Sequence, residues 1–191
     1  VLLFVSLSGA IALNGLFAWV LVLYCVLNLI YSRYLKNIVI IDVFCLAAFF
    51  LLRIVAGTVI VNVKFSHWMI FALMLLAMYL GFYKRRQDLR FFKKSYRESH
   101  ASIIKYNVYF IDQMCATLSA SIPIIYMLYT VDKRTVDEFH TTNLIYTIPF
   151  VYYGIFRYQY LVHSRRQGDD PTAVMFKDPM MVCNVMLWIF S

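Results

Sequence analysis

Asp42 and Arg53 are the only charged side chains between Ile38 and Val61, in the otherwise apolar run IVIIDVFCLAAFFLLRIVAGTVIV. A run of about 20 apolar residues is the length that a bilayer-crossing helix needs. An ionisable group within hydrocarbon costs at least about 2.5–3.5 kcal/mol, so each of these two must have a partner or a purpose. Helical residues advance about 100° each, which puts Asp42 and Arg53 on one face about three turns apart, too far to pair with each other. Each therefore requires a partner on a neighbouring helix or in a wet cavity. Two readings follow: both groups are structural, with Asp42 near the membrane surface and Arg53 bound to backbone carbonyls, or both line a functional cavity.

The second chemically rich stretch is KRRQDLRFFKKSYRESHASIIK, from Lys84 to Lys105. Only Asp88 and Glu98 oppose its eight basic residues, so it is a strong local positive field that attracts phosphates. Juxtamembrane lysine and arginine held by anionic lipid heads, at about 1 kcal/mol per basic residue, explain such a stretch without any site. However, Lys84-Arg85 follows Tyr83 without a break, and on a continuing helix Lys84, Arg85 and Asp88 share a face. That face fits a surface salt bridge or a metal-bound diphosphate, with Asp88 on the metal and the bases on phosphate oxygens. Asp112, Arg157, Asp170 and Lys177 complete the polar residues near apolar segments; Asp112 suits a cap or ion pair, and Asp170 before Pro171 suits a turn. No Walker loop, dinucleotide-binding glycine fingerprint or zinc motif is present in the sequence.

The elements that must carry these groups are membrane helices. The sequence is 62% hydrophobic and 15% charged, against roughly 25% charged in soluble domains. In chain order the apolar segments are Val1–Leu13, Leu16–Tyr31, Ile38–Val61, Trp68–Tyr83, Tyr106–Tyr129, Asn143–Val162 and the short Met180–Phe190. The fold expected is an all-α polytopic transmembrane bundle, a single domain over residues 1–191 that is truncated at its start and cut at its end. Cys25, Cys45, Cys115 and Cys183 lie isolated in apolar surroundings and predict neither a disulfide nor a zinc site. Of the 18 basic residues, most fall in Ser32–Asn37, Lys84–Lys105 and His163–Asp178, whereas the alternating loops hold only Lys64, Lys133 and Arg134. By the positive-inside rule the basic set is cytoplasmic. Asp42, Lys84–Asp88, Asp112, Arg157 and Asp169–Asp170 are then expected at one cytoplasmic mouth, with Arg53 deeper.

The motifs YSRYLKN, FFLLRIVAG, YKRRQDL, YNVYFIDQM, IPFVYYGIFRYQYLVH, GDDPTAV and KDPMMVCNVMLW, in this order, resemble the later part of the UbiA superfamily of intramembrane prenyltransferases. More narrowly they resemble its decaprenyl-phosphate phosphoribosyltransferase branch, from about Tyr24 to the end. The resemblance implies the later helices of a nine-helix bundle with a cytosolic polar cavity and a lipid-facing opening, in a bacterial inner membrane. It implies transfer of 5-phosphoribose from phosphoribosyl pyrophosphate to a polyprenyl phosphate, a step of cell-wall biosynthesis, with Mg²⁺ on the leaving diphosphate. The family's NDxxDxxxD motif does not occur here and would lie before Val1. The branch usually has Glu where Asp88 stands, and a second DxxxD motif is missing from Lys84–Lys105, which favours phosphoribosyl over aromatic prenyl transfer.

The residues assigned on this combined reading are Lys84, Arg85 and Arg86 for donor phosphates, Asp88 and Asp42 for metal or ribose, and Lys36, Arg157 and Lys177 as further phosphate contacts. The expected partners are the bilayer, phosphoribosyl pyrophosphate and polyprenyl phosphate, with no nucleic acid. Two alternatives remain at this stage: a prenyltransferase joining prenyl diphosphate to an aromatic acceptor, and a non-enzymatic transporter or scaffold with a polybasic lipid anchor.

Overall fold

The computed structural model describes residues 15–61, 66–91, 106–164 and 176–191. The opening segment before Gly15, most of the basic stretch after Phe91, and the loop carrying Asp169 and Asp170 lie outside the described residues. All regular structure among the described residues is helical: α1 (Gly15–Arg33), a 3₁₀ turn (Leu35–Asn37), α2 (Ile41–Val61), α3 (His67–Phe91), α4 (Val108–Val131), the short α5 (Lys133–Phe139), a 3₁₀ turn (Asn143–Thr147), α6 (Ile148–Ser164) and α7 (Pro179–Phe190). α1, α2, residues His67–Leu89 of α3, and α4 are long and apolar enough to cross a membrane. The chain is a multi-pass helical bundle.

α1 and α2 are apolar nearly all round, and side chains such as Trp19, Leu29, Phe44 and Phe50 stay exposed. A helix with no polar face that buries so little of itself is one that faces lipid. The packed interior centres on α3, which lies between α2 and α4, with α6 against α4 and α7 against α6. Tyr79 and Tyr83 on α3 meet edge to face at 4.8 Å, and Tyr158 of α6 closes on Tyr83 at 5.3 Å. Lipid tails are as apolar as leucine, so such close packing and polar contacts between helices, rather than escape from water, hold the bundle together.

At Gly81 α3 packs tightly against α2: a Cβ there would stand 3.0 Å from Val43 Cγ1. Val43 follows Asp42, and Arg85 lies one turn beyond Gly81, so this contact sets the distance between the acid and the base. α4 runs through Pro123, which is buried. Proline leaves a carbonyl of the preceding turn without its N–H partner, a defect that transmembrane helices tolerate when neighbours or nearby hydroxyls compensate.

α3 continues about two turns past Tyr83, so Lys84–Asp88 sit on an unbroken helix, as the run-on from Tyr83 suggested. Two segments depart from the sequence reading. The polar connection after Val131 contains α5, with Asp132 between the two helices. The segment beginning at Asn143 opens as a 3₁₀ turn and becomes α-helical only at Ile148.

Candidate functional site

The N-terminal end of α2, the C-terminal ends of α3 and α6, and the N-terminal ends of α4 and α7 meet on one side of the bundle. All the ion pairs among the described residues lie there.

Asp42 is wholly buried in the first turn of α2, where the helix dipole favours a negative charge. Its Oδ2 accepts from Arg85 Nε at 2.8 Å and its Oδ1 accepts from the Tyr106 hydroxyl at 2.7 Å. Arg85, only 4% exposed, also donates from one Nη to Asp88 Oδ2 at 3.2 Å and points the other at the Tyr31 hydroxyl, 3.4 Å away. The guanidinium thus sits between two carboxylates and beside a phenol. Tyr106 in turn accepts from the Ile40 amide at 2.6 Å. Ile40 has φ of 72°, in the left-handed region that a β-branched residue seldom enters. Such strain persists where surrounding contacts enforce it, and the Tyr106 hydroxyl is one of them.

Neighbouring positions on α3 face different partners. Arg86 turns to α4 and donates from Nε to Asp112 Oδ1 at 2.5 Å, and His163 Nε2 of α6 lies 3.8 Å from the same oxygen. Lys84 is exposed. The Lys84-Arg85-Arg86 triplet therefore splits into one outward cation and two paired ones.

Arg157 is engaged elsewhere: its Nη donates to Asp178 Oδ2 at 2.9 Å. Asp178 Oδ1 accepts from the Met180 and Met181 amides at 3.0 and 3.1 Å, capping α7. Burial alone would raise the Asp178 pKa, but the hydrogen bond from Arg157 and that from the Met181 amide outweigh it and hold the carboxyl below its ordinary value. Lys177 is exposed beside this cap.

Lys36, in the 3₁₀ turn, borders a groove of about 480 Å³ between α1 and α2, with Tyr24, Asn28, Tyr31 and Arg53 on its walls. Arg53 donates to the Tyr24 hydroxyl at 2.7 Å and lies over its ring. A smaller cavity of about 190 Å³ between α3, α6 and α7, bounded by Tyr79, Gly154, Ile155 and Trp188, is lined almost wholly by apolar and aromatic side chains and lacks a cation for a phosphate.

Asp42 and Asp88 converge, then, but on a guanidinium. Both Asp42 oxygens accept hydrogen bonds, and among the described residues no group of three His, Cys, Asp or Glu side chains is placed to hold a metal. As arranged, the pair does not fit a Mg²⁺ ion. The four cysteines are free thiols, and only Cys115 is buried.

Tyr24, Tyr31, Tyr106 and Asp178 are site-forming residues that the sequence reading did not single out. Asp178-Pro179 carried a usable signal, since Asp before Pro is a helix-start pattern. The tyrosines carried none, because an aromatic in an apolar run reads as packing.

The model of the UbiA prenyltransferase family matches residues 1–178. Over 182 residues the chain is 28% identical to the uncharacterized protein y4nM of Sinorhizobium fredii, covering 93% of this chain and 35% of that protein. The chain spans about a third of the length of that relative. With the family match extending over nearly all of its helices, this chain belongs to the UbiA prenyltransferase family.

Proposed function

We propose that this chain forms part of an intramembrane transferase that moves 5-phosphoribose from phosphoribosyl pyrophosphate to a polyprenyl phosphate at the cytosolic face of a bacterial inner membrane. The observation that carries the reading is the buried Asp42–Arg85–Asp88 cluster with the exposed Lys84 at its edge. The carboxylates and the guanidinium are held in place before charge develops, which suits a ribosyl carbon that becomes cationic, and a nearby lysine favours the diphosphate that departs. The branch resemblance of the motifs supplies the identity of donor and acceptor.

In the reaction the bond from ribose C1 to the diphosphate oxygen breaks, and its electron pair leaves with diphosphate. An ionised oxygen of the acceptor phosphate forms the new bond to C1, so no general base is required. Lys84 and Lys36 take donor phosphates. Arg85 holds the two carboxylates in place, Asp42 is a positioning residue, and Asp88 faces the ribose. Arg86 and Arg157, paired with Asp112 and Asp178, fix α4 and α7 rather than bind phosphate. Asp42 and Asp88 hold no metal in this scheme.

Transfer of a prenyl group to an aromatic acceptor is the second reading, favoured by the family match itself. It too passes through a cationic carbon. The test is a transfer assay on the full-length protein in detergent, offering labelled phosphoribosyl pyrophosphate with decaprenyl phosphate, and separately prenyl diphosphate with an aromatic acid. Label from the first donor should enter lipid, and Lys84→Ala should reduce that rate about tenfold or more. Transfer from prenyl diphosphate alone overturns the proposal.

A further inference from the structure

We infer that the groove between α1 and α2 is a phosphate-monoester site whose deep cation, Arg53, takes the phosphate head of the lipid acceptor. The inference deepens the phosphoribosyl reading and rests on it.

Tyr24 and Tyr31 lie two turns apart on α1, about 10 Å along the axis. Both rings stand edge-on to Phe49 at 5.4 Å, so they form one wall. Each hydroxyl faces a guanidinium: Tyr31 that of Arg85, Tyr24 that of Arg53. The two levels differ in charge. Arg85 is matched by Asp42 and Asp88. Arg53 has no carboxylate partner among the described residues, and the sequence from Val1 to Asn14 contains no acid at all.

Arg53 is also far from either end of α2, about 18 Å along the helix from Ile41 and about 12 Å from Val61. Its side chain leans toward the N-terminus of α2, hence toward the Lys36 end of the groove. Exposed, with one hydrogen bond to a neutral phenol, it has most of its five donors available to an anion in the groove. A guanidinium fork matches a phosphate monoester bidentately.

Depth selects the occupant. A soluble sugar diphosphate enters from the aqueous end and meets Lys36 and Lys84 first. A phosphate that reaches Arg53 must come with a chain at home in hydrocarbon, and Phe49 and Phe50 offer that chain an apolar wall. The groove then stacks its two substrates, donor at the Tyr31 level and acceptor at the Tyr24 level, with the ribose carbon between them.

The test is equilibrium binding to the full-length protein in phosphatidylcholine nanodiscs, using labelled decaprenyl phosphate, uncharged decaprenol and labelled phosphoribosyl pyrophosphate. Arg53→Ala should weaken decaprenyl phosphate binding about tenfold to a hundredfold and bring it near that of decaprenol, leaving phosphoribosyl pyrophosphate binding within about twofold of wild type. Arg53→Gln keeps the length and a donor for Tyr24 and should show the same loss, so a folding defect of the alanine variant does not blur the result. Unchanged decaprenyl phosphate binding in a folded Arg53→Gln protein overturns the inference. So does a loss that falls on phosphoribosyl pyrophosphate instead, or equal displacement of decaprenyl phosphate by phosphatidylglycerol, which would make Arg53 a contact for bulk lipid phosphate. Arg53-dependent binding of decaprenyl phosphate in a protein that transfers no phosphoribose sinks the proposed reaction and leaves this site standing.

Discussion

Replacing Asp42 with asparagine removes one charge and almost no volume from the centre of the site. Breaking a buried ion pair by losing one partner costs about 3–5 kcal/mol, because the other charge is left buried without compensation. Here the loss is smaller than that range. Asp88 still faces Arg85 at 3.2 Å, and an asparagine carbonyl can still accept from Tyr106. What disappears is the shorter charge-assisted bond, 2.8 Å from Arg85 Nε, and such bonds are worth about 1.5–3 kcal/mol. We expect Asp42→Asn to destabilise by about 2–3 kcal/mol, a fall in Tm of roughly 4–12 °C by the scaling for domains of this size. Unfolding can be followed with a thiol-reactive dye, because Cys115 is free and buried in the core and reacts only when the bundle opens. Adding Arg85→Gln should deepen the loss rather than recover it, since it takes the guanidinium away from the buried Asp88 as well. A Tm for Asp42→Asn within about 1 °C of wild type would refute the claim that this ion pair holds α2 to α3.

Three other perturbations test separate contacts. Gly81→Ala should destabilise by about 1–2 kcal/mol despite alanine's better helix propensity, because Val43 is stiff and stands 3.0 Å away; Val43→Ala in that background should restore Tm. Tyr106→Phe strands the Ile40 amide and one Asp42 oxygen, so hydrogen exchange at Ile40 should accelerate by about tenfold or more, and an unchanged rate would remove Tyr106 as the clamp on that strained residue. The Asp178 carboxyl titrates below its ordinary 3.8 when folded, so its contribution is complete above that pH and is lost as pH falls through the lowered value. Emission from Trp188 on α7 should shift in that acid window, and Asp178→Asn, which keeps the cap without the charge, should abolish the shift.

The spans were legible because each is a bounded apolar run and the bilayer fixes the length required. The run-on of α3 past Tyr83 was legible too, but not what answers its charges, Arg85 by Asp42 and Arg86 by Asp112 from other helices. Pairs separated by tens of residues leave no local trace. The single face shared by Asp42 and Arg53 was readable from spacing, and so was their need for separate partners, but not that one partner is an arginine and the other a tyrosine. Arg157 read in sequence as a cation within an apolar segment and a further phosphate candidate. Its carboxylate, Asp178, belongs to the cap of the next helix, a partner that the sequence did not show, and the pair ties α6 to α7.

Consecutive helical positions point about 100° apart, so three adjacent cations cannot serve one ligand equally. A polybasic anchor has no need to distinguish them, because its residues add up. In this bundle Lys84 faces outward, Arg85 joins α3 to α2, and Arg86 joins α3 to α4. At the opposite end the helices are tied by single hydrogen bonds, Ser66 to the Asp132 carboxylate, Tyr126 with Thr147 and Trp188 to Tyr126. Packing between helices in lipid gains little from the hydrophobic effect, so the ion pairs at one end fix register more firmly than the single bonds at the other. Transfer chemistry on a phosphate-rich donor asks for that asymmetry, since the cations and acids around the reacting carbon must already be in place when charge develops.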